Sequence, residues 1–577
     1  MNFLRLALWL FAASILLRQS AAQGQEPFQS QDQSSQESTP SAEYDLVIRQ
    51  GIVYDGSGSP PFVGDIGLRG DSIAAIAPSL PGQAQREIQA KGLAVAPGFI
   101  NMLSWATESL IVDGRSQSDI RQGVTLEVFG EGRSMGPINE AMRRELIRSQ
   151  GTLRYDVPWT TLGEYLEHLV SRGVSPNVAS FVGATTVRMY LLGHSLRPPS
   201  ARELEGMRQL VRQAMEEGAM GLASALIYAP GAYADTKELI ALAEVASQYD
   251  GLYISHIRNE GGRLLDALDE FIRIAEKAGV RAEIYHLKAA GRENWDKMDE
   301  VIARIEAARK KGLQVTANMY VYDASSASLD VLLPPWVHKG GPEAMLRRLR
   351  DKEIRRRILR GLRIREPEGI RLLNLRKDSL KPLAGKSLKE VAELWNMTPE
   401  EALLQLVLKD EGGVKMLRFT MSEENIRKQI RLPWVSFGSD GGSFSTEGPF
   451  LRFNTHPRAF GNFARLLGRY VRDEGLIPLE EAVRKLTSLP ASNLRLQRRG
   501  ALKPGYFADI VIFDPAQIRD NATYEQPHRY ANGVVHVFVN GVQVLRDGHH
   551  TGAKPGRVVR GPGFKAKPSA LRNRGKQ

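Results

Sequence analysis

Two short runs decide the fold of this chain: Gly251-Leu-Tyr-Ile-Ser-His256 and Arg281-Ala-Glu-Ile-Tyr-His286. Each is a β-prone stretch that ends in one of only ten histidines, and the two lie about one barrel repeat apart. In a (β/α)8 barrel, strand ends about thirty residues apart converge on one face, and that face holds the active site. Two imidazoles delivered to that face predict a metal site.

Length and composition are those of an enzyme with one large barrel and a smaller domain. The chain has 577 residues, of which 42% are hydrophobic and 25% charged. A net charge of +12 raises nucleic acid as a partner, but Lys and Arg are scattered, and part of the excess lies at 565–576. Because no basic stripe with interleaved aromatic residues is present, we expect no nucleic acid partner.

The N-terminus has the pattern of a signal peptide over residues 1–22. Arg5 supplies a positive charge, the run from Leu6 to Leu17 is apolar, and Ser20-Ala21-Ala22 offers a cleavage site. An uncleaved anchor is the alternative, although so short a run does not span a membrane comfortably. The chain has no cysteine, which suits an oxidising compartment. We expect export to the periplasm or beyond, without stable membrane insertion after cleavage.

Composition divides the chain into five further segments. Residues 23–43 are rich in Gln, Ser and Glu and predict a disordered linker. Short strands separated by Gly and Pro turns fill 44–96 and return at 496–555, so we expect both ends to build one small β-sandwich. Between them, 97–495 predicts the hydrolase barrel. Residues 556–577 have little apolar content and predict a disordered basic tail.

Alternating β runs and amphipathic helices between the two terminal blocks predict an α/β fold, a TIM-like (β/α)8 barrel. Eight candidate strands end near Asn101, Glu131, Ala184, Tyr228, His256, His286, Tyr320 and Asp440. The stretch from Tyr320 to Asp440 is longer than one βα unit. It predicts an insertion at about 325–430 between strands 7 and 8, placed to act as a lid.

The strand ends carry a candidate metal site. Glu131, His256 and His286 make a three-ligand set that leaves a position open for water. Zinc suits these ligands, with iron or manganese as alternatives. A metal in such a site lowers the pKa of bound water and polarises a carbonyl. Asp440, at the end of strand eight, is then expected to take the proton from that water and to pass it to the leaving group.

Further polar residues near the strand ends predict a substrate that carries a carboxylate. Lys288 lies two residues past His286 and therefore shares its face of the strand. The other candidates are Tyr228, Tyr320, Tyr322 and Arg458. Packing is the alternative for the tyrosines, and an ordinary surface charge is the alternative for Lys288 and Arg458.

The order of several motifs resembles the amidohydrolase superfamily. They are Ala96-Pro-Gly-Phe-Ile-Asn101, Gly123-Val-Thr, the two histidine strands and Ser439-Asp-Gly. The runs His456-Pro-Arg-Ala-Phe-Gly-Asn-Phe and Gly500-Ala-Leu-Lys-Pro-Gly-Tyr-Phe-Ala-Asp more closely resemble the N-acyl-D-amino-acid deacylases (D-aminoacylases). This resemblance covers about residues 44–550.

The resemblance implies hydrolysis of the amide of N-acyl-D-amino acids, with zinc at the barrel mouth. It makes His256 and His286 the tight-site ligands and Asp440 the general base and acid. Lys288, Tyr228 and Arg458 match positions that hold the substrate, and the resemblance adds one of Tyr320 and Tyr322. We therefore expect an amidohydrolase that releases a carboxylate and a free D-amino acid.

Two departures from the family pattern concern the metal. The superfamily usually has His-x-His after strand one, where this chain has Leu103 and Trp105; since neither can bind zinc, we expect one zinc ion per chain. The family also has Asn-Cys-Gly after strand two, where this chain reads Gly130-Glu-Gly. Glu131 is a plausible oxygen ligand in place of that cysteine, and Glu127 is the fallback.

Three other functions stay open. A dipeptidase acting on X-D-amino acids has the same requirements, because an aminoacyl group is also an acyl group. A cyclic amide hydrolase of the dihydropyrimidinase type is a further alternative, although such enzymes normally keep His-x-His and bridge two metals with a carboxylated lysine. The last alternative is a degenerate barrel without enzymatic activity.

Overall fold

The computed structural model describes residues 43–566. The expected signal peptide, the linker up to residue 42 and the tail from residue 567 lie outside the described residues. Within 43–566, no helix has both the length and the apolar character that crossing a membrane requires.

The strands among residues 43–566 are numbered β1 to β21 in chain order. They span Leu46–Val53, Phe62–Arg69, Ser72–Ala77, Glu87–Gln89, Ala94–Pro97, Phe99–Asn101, Val124–Phe129, Asn177–Ser180, Val182–Gly183, Gly221–Ala225, Leu252–His256, Arg281–Ile284, Val315–Met319, Ala324–Ser328, Ile370–Asn374, Lys415–Phe419, Val435–Phe437, Ile510–Phe513, Val534–Val539, Val542–Arg546 and His549–His550.

The α-helices of the same region are numbered α1 to α17. They span Ser109–Val112, Gln117–Ile120, Glu140–Ser149, Leu162–Arg172, Ala184–Leu192, Ala201–Glu216, Thr236–Gln248, Leu264–Ala278, Lys297–Lys310, Gly341–Arg350, Lys352–Gly361, Leu388–Leu394, Pro399–Lys409, Glu423–Ile430, Arg458–Arg465, Leu479–Leu486 and Ser488–Asn493. Short 3-10 helices span Gly231–Tyr233, Arg292–Asn294, Leu329–Leu332, Pro335–His338, Pro367–Gly369, Asp378–Leu383 and Gly448–Arg452, and a π-helix spans Leu466–Asp473.

Both ends of the described chain meet in one nine-stranded sheet, in the order β21-β20-β19-β18-β5-β1-β2-β3, with β4 also paired to β1. The two halves join where β5 runs antiparallel to β18, with Val95 opposite Ile512. Side chains from both halves, among them Ile66 and Ile510, share one buried apolar cluster. Burial of this shared face holds the N-terminal and C-terminal strands together.

The central part of the chain is an α/β fold of parallel strands, as the sequence predicted. Strands β6 to β8 form one parallel sheet, and β9 to β13 with β17 form a second. Backbone hydrogen bonds link the two sheets at both edges, from Met220, directly before β10, to Ser180 of β8 (2.9 Å) and from Met102, directly after β6, to Phe437 of β17 (3.3 Å). Strands β7, β10 and β11 are buried along their whole length, as parallel strands covered on both faces are.

The segment between β13 and β17 has its own small core. Strands β14 to β16 form an antiparallel sheet in the order β14-β16-β15, and helices α10 to α13 pack with it. Leu349, Leu372 and Leu403 belong to its buried cluster. Because β14 starts at Ala324, directly after the loop that follows β13, this segment begins at the carboxyl end of the central strands, where the candidate site lies.

Residues 556–566 differ from the disordered tail that we expected over 556–577. The Val559 N–H donates to the Val178 carbonyl (2.8 Å), and the Gly561 N–H donates to the Gly218 carbonyl (2.8 Å). Backbone pairing of this kind depends little on side-chain hydrophobicity. Low apolar content therefore does not exclude ordered structure here, and the prediction of disorder was wrong for residues 556–566.

Candidate metal centre and active site

Glu131 is placed by a tight turn directly after β7. The glycines on either side have positive φ, 114° at Gly130 and 64° at Gly132. A Cβ at Gly130 would lie 2.5 Å from the Phe181 carbonyl oxygen, so the turn requires glycine there. The turn carries the Glu131 carboxylate into the interior, where the residue is 5% exposed.

Three buried side chains form a compact cage. Glu131 Oε1 lies 2.9 Å from His256 Nδ1 and 3.0 Å from His286 Nε2, and the three donor atoms lie within 4.8 Å of one another. Ligands of a four-coordinate zinc ion sit about 3.3 Å apart, given bonds of about 2.0–2.1 Å. A small outward movement of these side chains therefore admits an ion, and the donor set fits zinc.

The groups of the cage shift one another's pKa: burial and Lys288 lower the pKa of His286, but Glu131 and Glu260 raise it to about 9. Burial alone would raise the pKa of Glu131, but His286 and His256 lower it, and the pKa stays well below its usual range. The carboxylate is therefore ionised at neutral pH. An ionised carboxylate between two imidazoles is a ligand set that catalytic zinc sites use.

Two residues of the site have strained backbones. His286 and Asp440 have φ values of 34° and 47°, in the left-handed region that non-glycine residues rarely adopt. The His286 N–H is held by Asn318 Oδ1 (2.8 Å), and the Asp440 N–H is held by the Leu103 carbonyl (2.8 Å). Each such residue costs about 1–3 kcal/mol, and such strain is concentrated at functional sites.

Asp440 lies beside the cage with both carboxylate oxygens engaged. Oδ2 forms an ion pair with Arg458 Nη2 (2.8 Å), and Oδ1 accepts a hydrogen bond from Trp105 Nε1 (3.1 Å). Burial raises the pKa of Asp440, the Arg458 guanidinium lowers it, and the balance leaves the pKa above its usual value. A carboxyl group with a raised pKa is suited to taking up and releasing a proton.

The two residues at the His-x-His positions offer no metal ligand. Leu103 is buried in an apolar cluster of the core. Trp105 donates its indole N–H to Glu131 Oε2 (3.0 Å) as well as to Asp440. The sequence showed that Trp105 cannot bind zinc, but it gave no sign that this N–H would join two carboxylates of the site.

Three buried donors of Arg458 and Tyr320 have no partner in the part of the chain that the structure describes. Arg458 is 3% exposed, and its guanidinium lies 4.3 Å above the ring of Tyr320. Arg458 Nε, Arg458 Nη1 and the Tyr320 hydroxyl have no hydrogen-bond partner among residues 43–566. Buried polar groups of folded proteins are normally paired, and a guanidinium is well matched to a carboxylate.

Glu260 is a site residue that the sequence reasoning missed. Its Oε1 lies 2.6 Å from Lys288 Nζ and 3.2 Å from His286 Nδ1, and Lys288 Nζ lies 2.8 Å from the same nitrogen. Burial opposes the charged form, but Lys288 and the two histidines lower the pKa of Glu260 well below its usual value. The available signal was its position four residues after His256, beyond the end of β11.

The two remaining predicted residues, Tyr228 and Tyr322, differ in whether they face the cage. The half-buried Tyr228 lies against His256, with ring centroids 5.5 Å apart, and burial with nearby Glu131 raises its pKa well above the usual value. Tyr322 turns away from the cage, because its hydroxyl donates to Asp520 Oδ2 (3.2 Å) and Arg465 lies over its ring (4.7 Å).

Glu127, the fallback ligand, is not part of the cage. Its carboxylate accepts hydrogen bonds from Ser116 Oγ (3.0 Å) and Asn101 Nδ2 (3.2 Å). Burial raises the pKa of Glu127, in contrast to that of Glu131. Its other partner is the buried Asp119, and no described contact joins Glu127 to either imidazole, whereas Glu131 Oε1 lies within 3.0 Å of both.

A carboxylate and two imidazoles at the ends of parallel strands, with the Asp440 carboxyl group beside them, are the arrangement that metal-dependent hydrolases of the TIM-barrel type use. Residues 336–545 match the model of the amidohydrolase family. The chain is 33% identical over 525 residues to the D-aminoacylase of Alcaligenes xylosoxydans xylosoxydans, covering 89% of this chain and 97% of that relative. The chain belongs to the D-aminoacylase family of amidohydrolases.

Solved structures of the family are similar along nearly their whole length. The N-acyl-D-glutamate deacylase of Bordetella bronchiseptica, with zinc and a phosphonate mimic of the tetrahedral intermediate, has a TM-score of 0.74 and 29% identity, covering 90% of this chain and 99% of that one. A D-aminoacylase with a binuclear centre has a TM-score of 0.74 and 31% identity, covering 90% and 100%. In that D-aminoacylase one metal activates and the second attenuates.

Proposed function

We propose that this chain is a zinc-dependent N-acyl-D-amino-acid deacylase, which hydrolyses the amide to a carboxylate and a free D-amino acid. One observation carries the proposal. Beside the three-residue cage, Arg458 and Tyr320 hold buried donors that have no partner within the described chain. A substrate with an amide next to a carboxylate can use the cage and the unpaired donors at once. Its amide then lies at the three-residue cage, and its carboxylate accepts hydrogen bonds from Arg458 and Tyr320.

The residues of the cage would hold one zinc ion per chain. Glu131, His256 and His286 would hold it through the atoms that face one another, Oε1, Nδ1 and Nε2, and Leu103 and Trp105 would add no ligand. A zinc ion bound there supplies Lewis acidity, which polarises a carbonyl and lowers the pKa of water. Glu260 positions His286 through Nδ1, as a carboxylate behind a ligating histidine commonly does.

Asp440 carries the proton. As a carboxylate it takes a proton from the water that attacks the acyl carbon, and as an acid it gives that proton to the departing nitrogen. A carbon–oxygen bond forms and the carbon–nitrogen bond breaks, so the products are the acyl carboxylate and the amine. Arg458 and Trp105 keep the Asp440 carboxylate in place through its two oxygens.

The substrate carboxylate is bound by Arg458, Lys288 and Tyr320. Arg458 and Tyr320 supply donors that have no partner within the described chain. The Lys288 ammonium is held beside His286 by its 2.6 Å contact with Glu260. Tyr228 remains a protonated phenol, since burial raises its pKa, and it contacts the substrate as a hydrogen-bond donor. When the α-carboxylate and the amide of the substrate are both held, the D and L isomers direct their side chains to opposite sides. The enzyme selects the D isomer because only that side accommodates the side chain.

The test is metal content and hydrolysis measured on one sample of the purified protein. We expect about one zinc per chain and turnover of N-acetyl-D-amino acids, with the matched L isomers as the control. Dipeptides with a C-terminal D residue test the dipeptidase alternative in the same assay. Bound zinc without hydrolysis of any N-acyl-D-amino acid would contradict the deacylase proposal. A protein that neither binds zinc nor hydrolyses any of these substrates would contradict the proposal that the chain is an enzyme.

We propose further that the mature protein is exported after removal of residues 1–22. Arg5, the apolar run that follows it and the small residues before Gln23 support a cleavable signal, and the absence of cysteine suits an oxidising compartment. Fractionation of the source cells with N-terminal sequencing tests this proposal. We expect the mature chain to begin at Gln23 in the periplasmic or secreted fraction.

A further inference from the structure

We propose that the indole N–H of Trp105 takes the place of a second metal ion and keeps the site mononuclear. The inference rests on the proposed function, because it concerns the same metal site. A single donor lies between two carboxylates: Trp105 Nε1 is 3.0 Å from Glu131 Oε2 and 3.1 Å from Asp440 Oδ1. The two oxygens are those that the cage and the Arg458 ion pair leave free.

A second cation would bind at this point. Glu131 uses Oε1 for the imidazoles, so its Oε2 is available to bridge to another ion, and Asp440 Oδ1 faces the same donor. In two-metal sites the ions sit about 3.5–4 Å apart, a separation that one bridging carboxylate provides. The neutral Trp105 N–H instead donates to both oxygens without adding a charge.

The position of Trp105 is specified by hydrogen bonds more than by burial. Trp105 is 42% exposed, whereas an aromatic residue that serves only in packing is normally well covered. Its backbone N–H donates to the Gly441 carbonyl (2.8 Å), and the preceding Ser104 N–H donates to the Val128 carbonyl (2.9 Å). Trp105 is therefore tied to both of the segments that deliver Glu131 and Asp440, β7 and the loop after β17.

This arrangement has a consequence for metal response. In the D-aminoacylase with a binuclear centre, the second metal attenuates activity. With Trp105 in place, this chain keeps its activity in excess zinc, because the oxygens that a second ion needs are already hydrogen bonded. Trp105 acts as a positioning residue, since it works through Glu131 and Asp440.

The experiment measures bound zinc per chain by equilibrium dialysis and elemental analysis as free zinc is raised. The samples are the wild type, Trp105→Phe, Trp105→His, and Trp395→Phe as a matched control on the half-buried Trp395 of the segment between β13 and β17. Phenylalanine keeps an aromatic ring and removes the N–H, whereas histidine adds a ligand. Activity is followed along the same titration as a second readout.

We expect the wild type and Trp395→Phe to stay at one zinc in large excess. Trp105→Phe should take up a second zinc and lose activity as it does so, and Trp105→His should bind that zinc about tenfold more tightly, which is about 1.4 kcal/mol. Two zinc ions on the wild type, or a second site in neither variant, would overturn the inference. The first equivalent of zinc reports folding of each variant, and its absence from the wild type would instead count against the proposed function.

Discussion

Arg458 forms a 2.8 Å ion pair with Asp440 while its Nε and Nη1 have no partner among residues 43–566. The same buried guanidinium therefore pairs with the Asp440 carboxylate through one nitrogen and leaves its other two nitrogens unpaired within the described chain. Its backbone N–H donates to His456 Nδ1 (3.0 Å), and His456 Nε2 lies 2.9 Å from the Ala324 carbonyl. This chain of contacts connects the proposed carboxylate subsite to β14 of the segment between β13 and β17.

Replacing Arg458 with lysine should weaken substrate binding and catalysis together. Lysine lacks the planar fork that can reach Asp440 and a substrate carboxylate at once. We expect a loss of about 2 kcal/mol or more, or about thirtyfold in kcat/KM for an N-acetyl-D-amino acid. Arg465→Lys is the control, since Arg465 pairs with Asp520 away from the cage. An equal loss in both variants would show a structural effect only.

The pH dependence of kcat/KM should report Asp440. The carboxylate must be ionised to accept a proton, so kcat/KM falls as pH decreases through its pKa, and burial places that pKa above the usual value of Asp. Because Arg458 lowers this pKa, Arg458→Lys should move the acid limb only slightly, whereas Arg458→Gln should move it to higher pH. Rate profiles of the three proteins test this ordering. An acid limb that does not move in Arg458→Gln would show that Asp440 does not control it.

Two neighbouring glutamates should differ in their effect on zinc. Glu131→Gln removes the carboxylate whose Oε1 lies 2.9 Å from His256 Nδ1 and 3.0 Å from His286 Nε2, so this variant should lose tightly bound zinc. Glu127→Gln changes a carboxyl group that lies among Ser116 and Asn101, and it should keep about one zinc per chain. Elemental analysis after dialysis distinguishes them. The reverse result would make Glu127 the ligand.

Glu260→Gln should weaken zinc binding through His286 and disturb Lys288. Removing a carboxylate behind a ligating histidine typically costs about 10–100-fold in metal affinity. The loss of the 2.6 Å contact with Lys288 should also raise KM, because this ammonium is then no longer held at the site. Glu293→Gln is the matched control, since the exposed Glu293 pairs only with Arg365 (3.3 Å) among the described ion pairs. Unchanged zinc affinity in Glu260→Gln would contradict this role.

Several residues of the site could be found from the sequence because each follows a strand. His256 is the last residue of β11, and His286 and Asp440 lie two and three residues beyond the ends of β12 (Ile284) and β17 (Phe437). Strand ends carry a local signal of apolar and β-branched residues, and parallel strands bring those ends to one face. The positions of the two histidines and of Asp440 required no further information than this.

Other features depended on contacts between distant segments. Glu260 is placed by Lys288, 28 residues away, and the direction of Tyr322 is set by Asp520, 198 residues away. Residues 556–566 are held by backbone bonds to Val178 and Gly218. The hydrogen bonds of the Trp105 N–H also join distant segments, because Glu131 and Asp440 lie 26 and 335 residues away from Trp105 in the sequence.

The sequence by itself determined the α/β class, the order of the strands and the residue types that converge on the metal cage, since these follow from hydrophobic periodicity and the face at which parallel strands end. Only the tertiary structure decided which oxygen faces which donor. It made Glu131 the cage carboxylate in preference to Glu127, and it placed the Trp105 N–H between Glu131 and Asp440. Hydrogen bonds of about 3 Å depend on side-chain direction and on strained loop conformations, which a one-dimensional pattern does not contain.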